Sequence, residues 1–533
     1  MIRLKLQKVI LKLFLVLIIF SLGCKDQNKE TISEVPNILF AIMDDATYLH
    51  MGAYGCDWID TPNFDRIASE GLLFSRAYTP NAKCAPSRSS ILTGRNSWQL
   101  EEAANHWCYF PQKFKTYAEV LEENDYHVGY TDKGWAPGIA KNADGSERFL
   151  LGKAYNEKIT SPPTSKISTV DYAANFSSFL EADKGDRPFC FWYGSREPHR
   201  AYEEGSGIRK GGKKIEQIDM VYSFWPDNEA VRSDLLDYAY EIEYFDFQLG
   251  KMLKTLEEKG KLDNTIIVVT SDNGMPFPRI KGQEYELSNH LPLAIMWKDG
   301  IKNPGRVIDG LVSFIDLAPT FLELAKIGQD SSGMEPITGK SLVKFFDSNQ
   351  SDVKDTFRDF VLIGKERHDI GRPDDVGYPI RGIVKEDYLF IQNFETERWP
   401  AGNPSTGYLN CDGSITKTEI LKSREDPKTS HYWNLSFGKR PEYELYNIRT
   451  DPECMYNLVN EPELLPTAER LKNLMVSELT KQTDPRILGN GEIFDNYKYA
   501  DSTGVNFYER YMAGEKLNSG WVNPSDFEKG DFN

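Results

Sequence analysis

Two acidic groups stand out in this chain for what they could hold. Asp44 and Asp45 close the apolar run NILFAIM, and Asp272, Asn273 and Gly274 close the apolar run NTIIVVTS. Three carboxylates and an amide oxygen make a hard, oxygen-only donor set, which suits Ca²⁺ or Mg²⁺ and not zinc. Singly, each piece reads as an ordinary turn or cap. The signal is one arrangement, a buried strand followed at once by acids, at two distant places. Between them lies NAKCAPSRSSILTGR (81–95), with Cys84 at the opening of a helical stretch and Arg88 four residues on. A lone cysteine there is half of a disulfide, a thiol nucleophile, or a cysteine that is converted to something else. The polar loop closing RPFCFWYGSREPHR adds His199.

These groups must be brought together by their elements. Continuous apolar runs such as residues 36–43 and 264–271 read as strands buried on both faces of a parallel sheet. TPNFDRIASEGLLFSRAY (61–78) and TYAEVLEENDYHVGYTDKG (116–134) each give helix, stop and strand, and residues 231–260 keep helical apolar spacing over many turns up to Gly260. The alternation predicts an α/β domain over 36–348, its mostly parallel sheet sandwiched by helices. In such a sheet, ligands sit at the carboxyl ends of the strands. Those ends carry Asp44, Asp45, Asp272, Asn273 and His199, and a helix opening at Cys84 points its amides the same way. Residues 349–490 read as a smaller α+β domain with an antiparallel sheet and a helix near 465–482. The polar stretch 491–533, with its aromatics and glycines, reads as a surface wrap or a disordered tail.

Bulk properties narrow the classes. The chain has 533 residues, too many for one simple core. Residues 1–24 have a basic start and an apolar run, Leu13 to Phe20, too short to span a bilayer, which predicts a signal peptide. Ser21-Leu22-Gly23-Cys24 resembles a bacterial lipoprotein box, making Cys24 the candidate lipidated residue and 25–35 a tether. The expectation is an exported protein, periplasmic or membrane-tethered, that meets the membrane only through its anchor or signal. Seven widely scattered cysteines are not a disulfide framework, and no Cys/His cluster suggests zinc. A formal net charge of −17 argues against nucleic acid and against a broad polyanion-binding face.

Cys84-Ala85-Pro86-Ser87-Arg88 with Leu92-Thr93-Gly94-Arg95 resembles the signature of the type I sulfatases of the alkaline phosphatase superfamily. The likeness continues through Thr131 and Lys133, Pro198 and His199, Asp272-Asn273-Gly274, Lys281 in IKGQEYE and the late segment ELYNIRTDPECMYNL, in order over roughly residues 36–490. The resemblance implies that a maturation enzyme oxidises Cys84 to formylglycine before folding. It also implies that Asp44, Asp45, Asp272, Asn273 and residue 84 hold Ca²⁺. Arg88 would steady residue 84 and the metal ligands, Lys133 and Lys281 would pair with sulfate oxygens, and His199 would protonate the leaving group.

One departure matters. Where the family usually has a histidine two residues after the lysine of Thr-x-Lys, this chain has Trp135. His106, after the signature helix, is the candidate substitute base; His50, His368, His127 and His290 are weaker ones. FWYGSREPHR, TSDNGMPFP and residues 224–246 are most similar to the sulfamidases, which cleave the N–S bond of terminal glucosamine N-sulfate in heparan chains. In that setting Glu197, Arg200 and the segment KERHD (365–369), with His368, would shape the sugar pocket. An acidic protein with a few basic residues near its motifs fits an exo-acting pocket better than a polymer-gripping groove. A glycan O-sulfatase or arylsulfatase, a phosphoesterase of the same superfamily, and a non-catalytic glycan-binding lipoprotein on the same scaffold are the alternatives.

Overall fold

The computed structural model describes residues 35–183, 187–347 and 358–530. The expected signal segment, Cys24 and nearly all of the expected tether lie outside the described residues. Pro36–Asn533 form one compact unit.

Strand β1 (Asn37–Met43) is buried along its whole length. Its side chains alternate between two helical layers, as the period of two requires. Leu39, Ala41 and Met43 join the core formed with the helices on one side, while Phe40 packs edge-on against Phe321 on the other. In chain order there follow α1 (Pro62–Ser69), β2 (Leu72–Phe74), α2 (Cys84–Thr93), α3 (Tyr117–Glu123), β3 (His127–Asp132), β4 (Lys153–Ala154), α4 (Tyr172–Ala182) and β5 (Phe189–Gly194). Then come α5 (Glu229–Glu258), β6 (Thr265–Ser271), β7 (Leu293–Met296), β8 (Arg306–Ile308) and α6 (Leu317–Leu324). The sheet order is β8-β2-β7-β6-β1-β5-β3-β4. All neighbours are parallel except β7, which runs antiparallel to both β6 and β2. The mostly parallel sheet between helical layers is the one the sequence predicts.

Register sets the site. Met43 pairs with Ser271, and Ile42 with both Thr270 and Gly194. The chain therefore leaves β1, β6 and β5 at one level, and Asp44, Asp272 and Ser195 emerge side by side. Helix α2 is unusual: all ten residues are buried although three are serines and one is threonine. Burying a hydroxyl without a partner is costly. Here Ser89, Ser90 and Thr93 each donate to the carbonyl four residues back, at 2.8, 2.9 and 2.8 Å, and Ser87 accepts from Thr79 at 2.8 Å. The polar helix thus enters the core satisfied, and Gly94 at φ 67° ends it.

Beyond it, β9 (Val361–Lys365), β10 (Ile380–Lys385), β11 (Tyr388–Asn393) and β12 (Tyr443–Asn447) form a separate antiparallel sheet in that order. One face packs on α7 (Leu465–Lys481) through Leu471, Met475 and Leu479; the other meets Tyr78 and Tyr285. The stretch after 490 wraps. Tyr499, Phe507 and Val522 bury with Ile370 and Leu409, and the Gly413 N–H donates to the Trp521 carbonyl at 2.7 Å. Among its described residues these aromatics act as anchors.

Of the six described cysteines, 56, 84, 108, 190, 411 and 454, all are free. Gly194, at the end of β5, carries the packing consequence that matters most for the site. The Lys133 N–H donates to its carbonyl at 3.0 Å. A Cβ on Gly194 would lie 1.8 Å from the Lys133 carbonyl oxygen. Gly194→Ala should therefore displace the Lys133 loop, lower stability by ~1–3 kcal/mol and remove most activity. Gly310→Ala, whose Cβ would meet only Phe345 at 4.0 Å, should do neither. Thermal unfolding of both variants checks this; equal melting temperatures would refute it.

Candidate active site

At the strand ends, Asp44, Asp45, Asp272 and Cys84 bring their donor atoms within 4.8 Å of one another, and all four are buried. Asp45 takes a left-handed backbone, φ 77°, a conformation that costs a non-glycine residue roughly 1–2 kcal/mol. Its backbone N–H donates to Asp272 Oδ1 at 3.1 Å, and Asn273 Nδ2 donates to its Oδ1 at 2.7 Å, which hold it there. Asn273 Oδ1 is buried with no hydrogen-bond partner. An orphaned oxygen beside three carboxylates is what a hard cation needs, so the residues present fit Ca²⁺ or Mg²⁺.

Cations on the protein side balance the carboxylates. Arg88, fully buried, donates from Nε to Asp272 at 2.8 Å and from Nη1 to the carbonyls of Lys133 and Gly134 at 2.9 and 2.8 Å. Lys133 Nζ binds Asp44. Lys281 Nζ lies 2.6 Å from Asp45 and 2.8 Å from Asp412. Burial alone would raise the Asp44 pKa, but Lys133, with His199 and Arg88, outweighs it and leaves Asp44 at about 2. Burial, with Asp44 and Asp272 adding to it, pushes the Cys84 thiol well above its ordinary value, even with Lys133 and Lys281 nearby. Cys84 Sγ is 3.4 Å from Asp44 Oδ1. A thiolate is therefore disfavoured, and among the described residues no cysteine is bridged to Cys84.

Asp44, Cys84, Lys133, Lys281 and Asp412 form the floor of a cavity of about 600 Å³. Asp44, Cys84, His106, Lys133, His199, Arg200 and Lys281 all line it. His199 donates from Nδ1 to the Arg200 carbonyl at 2.5 Å, with Nε2 3.9 Å from Asp45 Oδ2. His106 is held by Asp369 Oδ1 at 2.8 Å on Nδ1, and its Nε2 is buried without a partner. Arg200 makes a two-pronged pair with Asp234, both contacts 2.8 Å. Several sequence candidates stand outside the lining, Arg88, Asp45, Asp272 and Asn273 beneath it and others beside it. Glu197 is buried behind it, accepting from Ser195 at 2.6 Å and Tyr172 at 2.7 Å. His368 is buried against Asn81 Oδ1 at 2.9 Å. His50 bonds Tyr238 at 3.1 Å. Trp135 donates to Ser89 at 2.8 Å, bracing α2 from its side.

Sequence reasoning missed several lining residues: Lys83, Trp107, Asp132, Lys166, Arg196, Asp412 and Trp521. Lys83 did carry a signal. It stands at the N-cap of α2, where the helix dipole disfavours a cation, and it is kept there by Asp369 at 2.8 Å. Asp412, in the turn-like NCDGS, carried none.

The sulfatase family model matches residues 36–327. The chain belongs to the sulfatase family. It is 25% identical to human N-sulphoglucosamine sulphohydrolase over 84% of this chain and 91% of that protein. It is 24% identical to an N-acetylglucosamine-6-O-sulfatase of Bacteroides thetaiotaomicron over 87% of this chain and 90% of that one. A solved structure of a protein in complex with its substrate D-glucosamine-2-N,6-O-disulfate superposes with a TM-score of 0.59 at 21% identity, covering 85% of this chain and 99% of that one. The last likeness shows the shared fold.

Burial, against the pull of Asp369, lowers the His106 pKa to about 4. Between pH 6.5 and about 4 the unfolded chain takes up a proton that the folded site refuses. This contribution to stability is full above pH 6.5 and lost as pH falls through that window, by on the order of 1–3 kcal/mol. His106→Gln should remove that share of the acid sensitivity. Melting temperatures of the two proteins should converge from pH 7 towards 4; parallel curves would contradict the assignment.

Proposed function

We propose that the protein is a formylglycine- and calcium-dependent exo-sulfatase that removes the N-sulfate of terminal glucosamine in heparan sulfate or heparin fragments. The observation that carries this reading is the cavity itself. At about 600 Å³ it has the size of a small-molecule site, not of a polymer groove. Six lysines and arginines line it against four aspartates, so a protein with net charge −17 concentrates positive charge where a sulfate would enter.

In this reading Asp44, Asp45, Asp272, Asn273 and residue 84 hold the ion. When present, the metal supplies charge that polarises sulfate, and matured residue 84 supplies the attacking oxygen. The other side chains do the rest. Lys133 and Lys281, already leaning on Asp44 and Asp45, neutralise charge that grows on the sulfate oxygens. Arg88 fixes Asp272 and the Lys133 loop. His199 in its protonated form presents Nε2–H to the leaving nitrogen, Nδ1 being committed to the Arg200 carbonyl. His106, neutral and oriented by Asp369, takes the place of the base whose usual position Trp135 fills, and accepts a proton at Nε2. Residues 36–348 are then the catalytic domain and 349–490 a supporting subdomain. The chain is exported, and its partners are the sulfated saccharide and a maturation enzyme. A 6-O-sulfatase is the second reading, supported by the N-acetylglucosamine-6-O-sulfatase relative.

Sulfate release should be fastest from glucosamine N-sulfate among N-, 6-O-, 3-O- and 2-O-sulfated monosaccharides. The Cys84 peptide of the active protein should be about 18 Da lighter than its thiol form. Preference for 6-O-sulfate would favour the second reading, and a thiol alone at residue 84 would sink the mechanism.

Calcium should raise the melting temperature of protein stripped with EDTA, because it relieves repulsion among buried carboxylates. Asp272→Ala should abolish that shift; a shift produced by zinc alone would overturn the ligand assignment.

A further inference from the structure

Part of the cavity lining takes no part in the chemistry above. Trp107 and Trp521 both line it and come from distant parts of the chain. Trp107 follows His106, and its carbonyl accepts the Ala500 N–H at 2.7 Å. Trp521 belongs to the C-terminal wrap. Its indole N–H donates to the Leu409 carbonyl at 2.8 Å, and its own carbonyl takes the N–H of Gly413, the residue after Asp412. Both indoles rest on the satellite cluster of Ile370, Leu409, Tyr499, Phe507 and Val522, and both keep part of their surface exposed.

Trp521 has spent its only donor within the protein, so what it offers the cavity is apolar, electron-rich ring surface. The rest of the lining is dominated by charged groups, among them Lys133, Asp132 and Arg196. One ligand chemistry matches both. A pyranose ring carries a face of C–H groups suited to an aromatic surface, and hydroxyl or sulfate groups at its edge suited to charge.

We propose that Trp107 and Trp521 form an aromatic wall that binds the C–H face of the sugar ring bearing the sulfate, which makes the C-terminal segment a substrate-binding element. The inference rests on the sulfated-sugar reading above. It assigns no chemistry to either indole: they position the substrate and set its affinity.

The test is calorimetric binding to Cys84→Ser protein in calcium, titrated with glucosamine N-sulfate and, separately, with inorganic sulfate. Trp521→Ala and Trp107→Ala should each weaken binding of the sugar about tenfold and leave inorganic sulfate unchanged, while Trp521→Phe keeps most of the sugar affinity. Melting temperatures establish that each variant is folded. Should Trp521→Ala not fold, Trp107→Ala and Trp521→Phe still decide. Sugar affinity unchanged in folded alanine variants would overturn the wall. So would an equal loss for inorganic sulfate, which would mean a distorted floor. If the parent Cys84→Ser protein binds none of the N- or O-sulfated glucosamines, the functional reading itself has failed.

Discussion

Three buried carboxylates crowded at the ends of two neighbouring strands are the constraint on which the rest depends. Uncompensated, each buried charge costs several kcal/mol. The fold answers with Arg88 on Asp272, Lys133 on Asp44 and Lys281 on Asp45. Each of those cations must then be fixed in turn. Arg88 lies on a helix made entirely of buried residues, Lys133 on a loop clamped to Gly194, and Lys281 against a second acid, Asp412. The pairs leave Asn273 Oδ1 unbonded, and with Lys281 shared between Asp45 and Asp412 the cluster keeps a surplus of acceptor oxygens. That combination suits a site that accepts a cation and then redirects its lysines to an incoming anion.

The same logic extends outwards. Asp369 holds Lys83 on one oxygen and His106 on the other. This pairing keeps a cation at the amino end of a helix and orients an imidazole with one nitrogen free. Arg200 is committed to Asp234, and Glu197 to Ser195 and Tyr172. Charged residues near the site thus divide into those that face the cavity and those that hold the wall in place.

Much of this was legible in the sequence. The acids after apolar runs, the lone cysteine at a helix opening and the strand–helix alternation are local patterns, and register alone carries them into one place. What was not legible came from loops whose path depends on tertiary packing. Asp412, Trp107 and Trp521 have no periodic or motif context, and only the closed structure brings them beside residue 84. Glu197 shows the converse. The resemblance to the sulfamidases suggested it for the sugar pocket, yet a buried carboxylate goes where donors are nearest, and Ser195, Ser168 and Tyr172 surround it. Lys83 could have been flagged, since a lysine just before a helix goes against the dipole.

The cavity draws its lining from residue 44 to residue 521. A ribosome releases a chain from its amino end, and contacts this far apart in sequence form late. When the Cys84 segment emerges, β6, the Lys281 loop, the Asp412 turn and Trp521 have not yet been made. For most of its synthesis the protein therefore lacks its complete cavity, and residue 84, only 2% exposed once folded, is made well before the Asp272 and Lys281 segments that close over it.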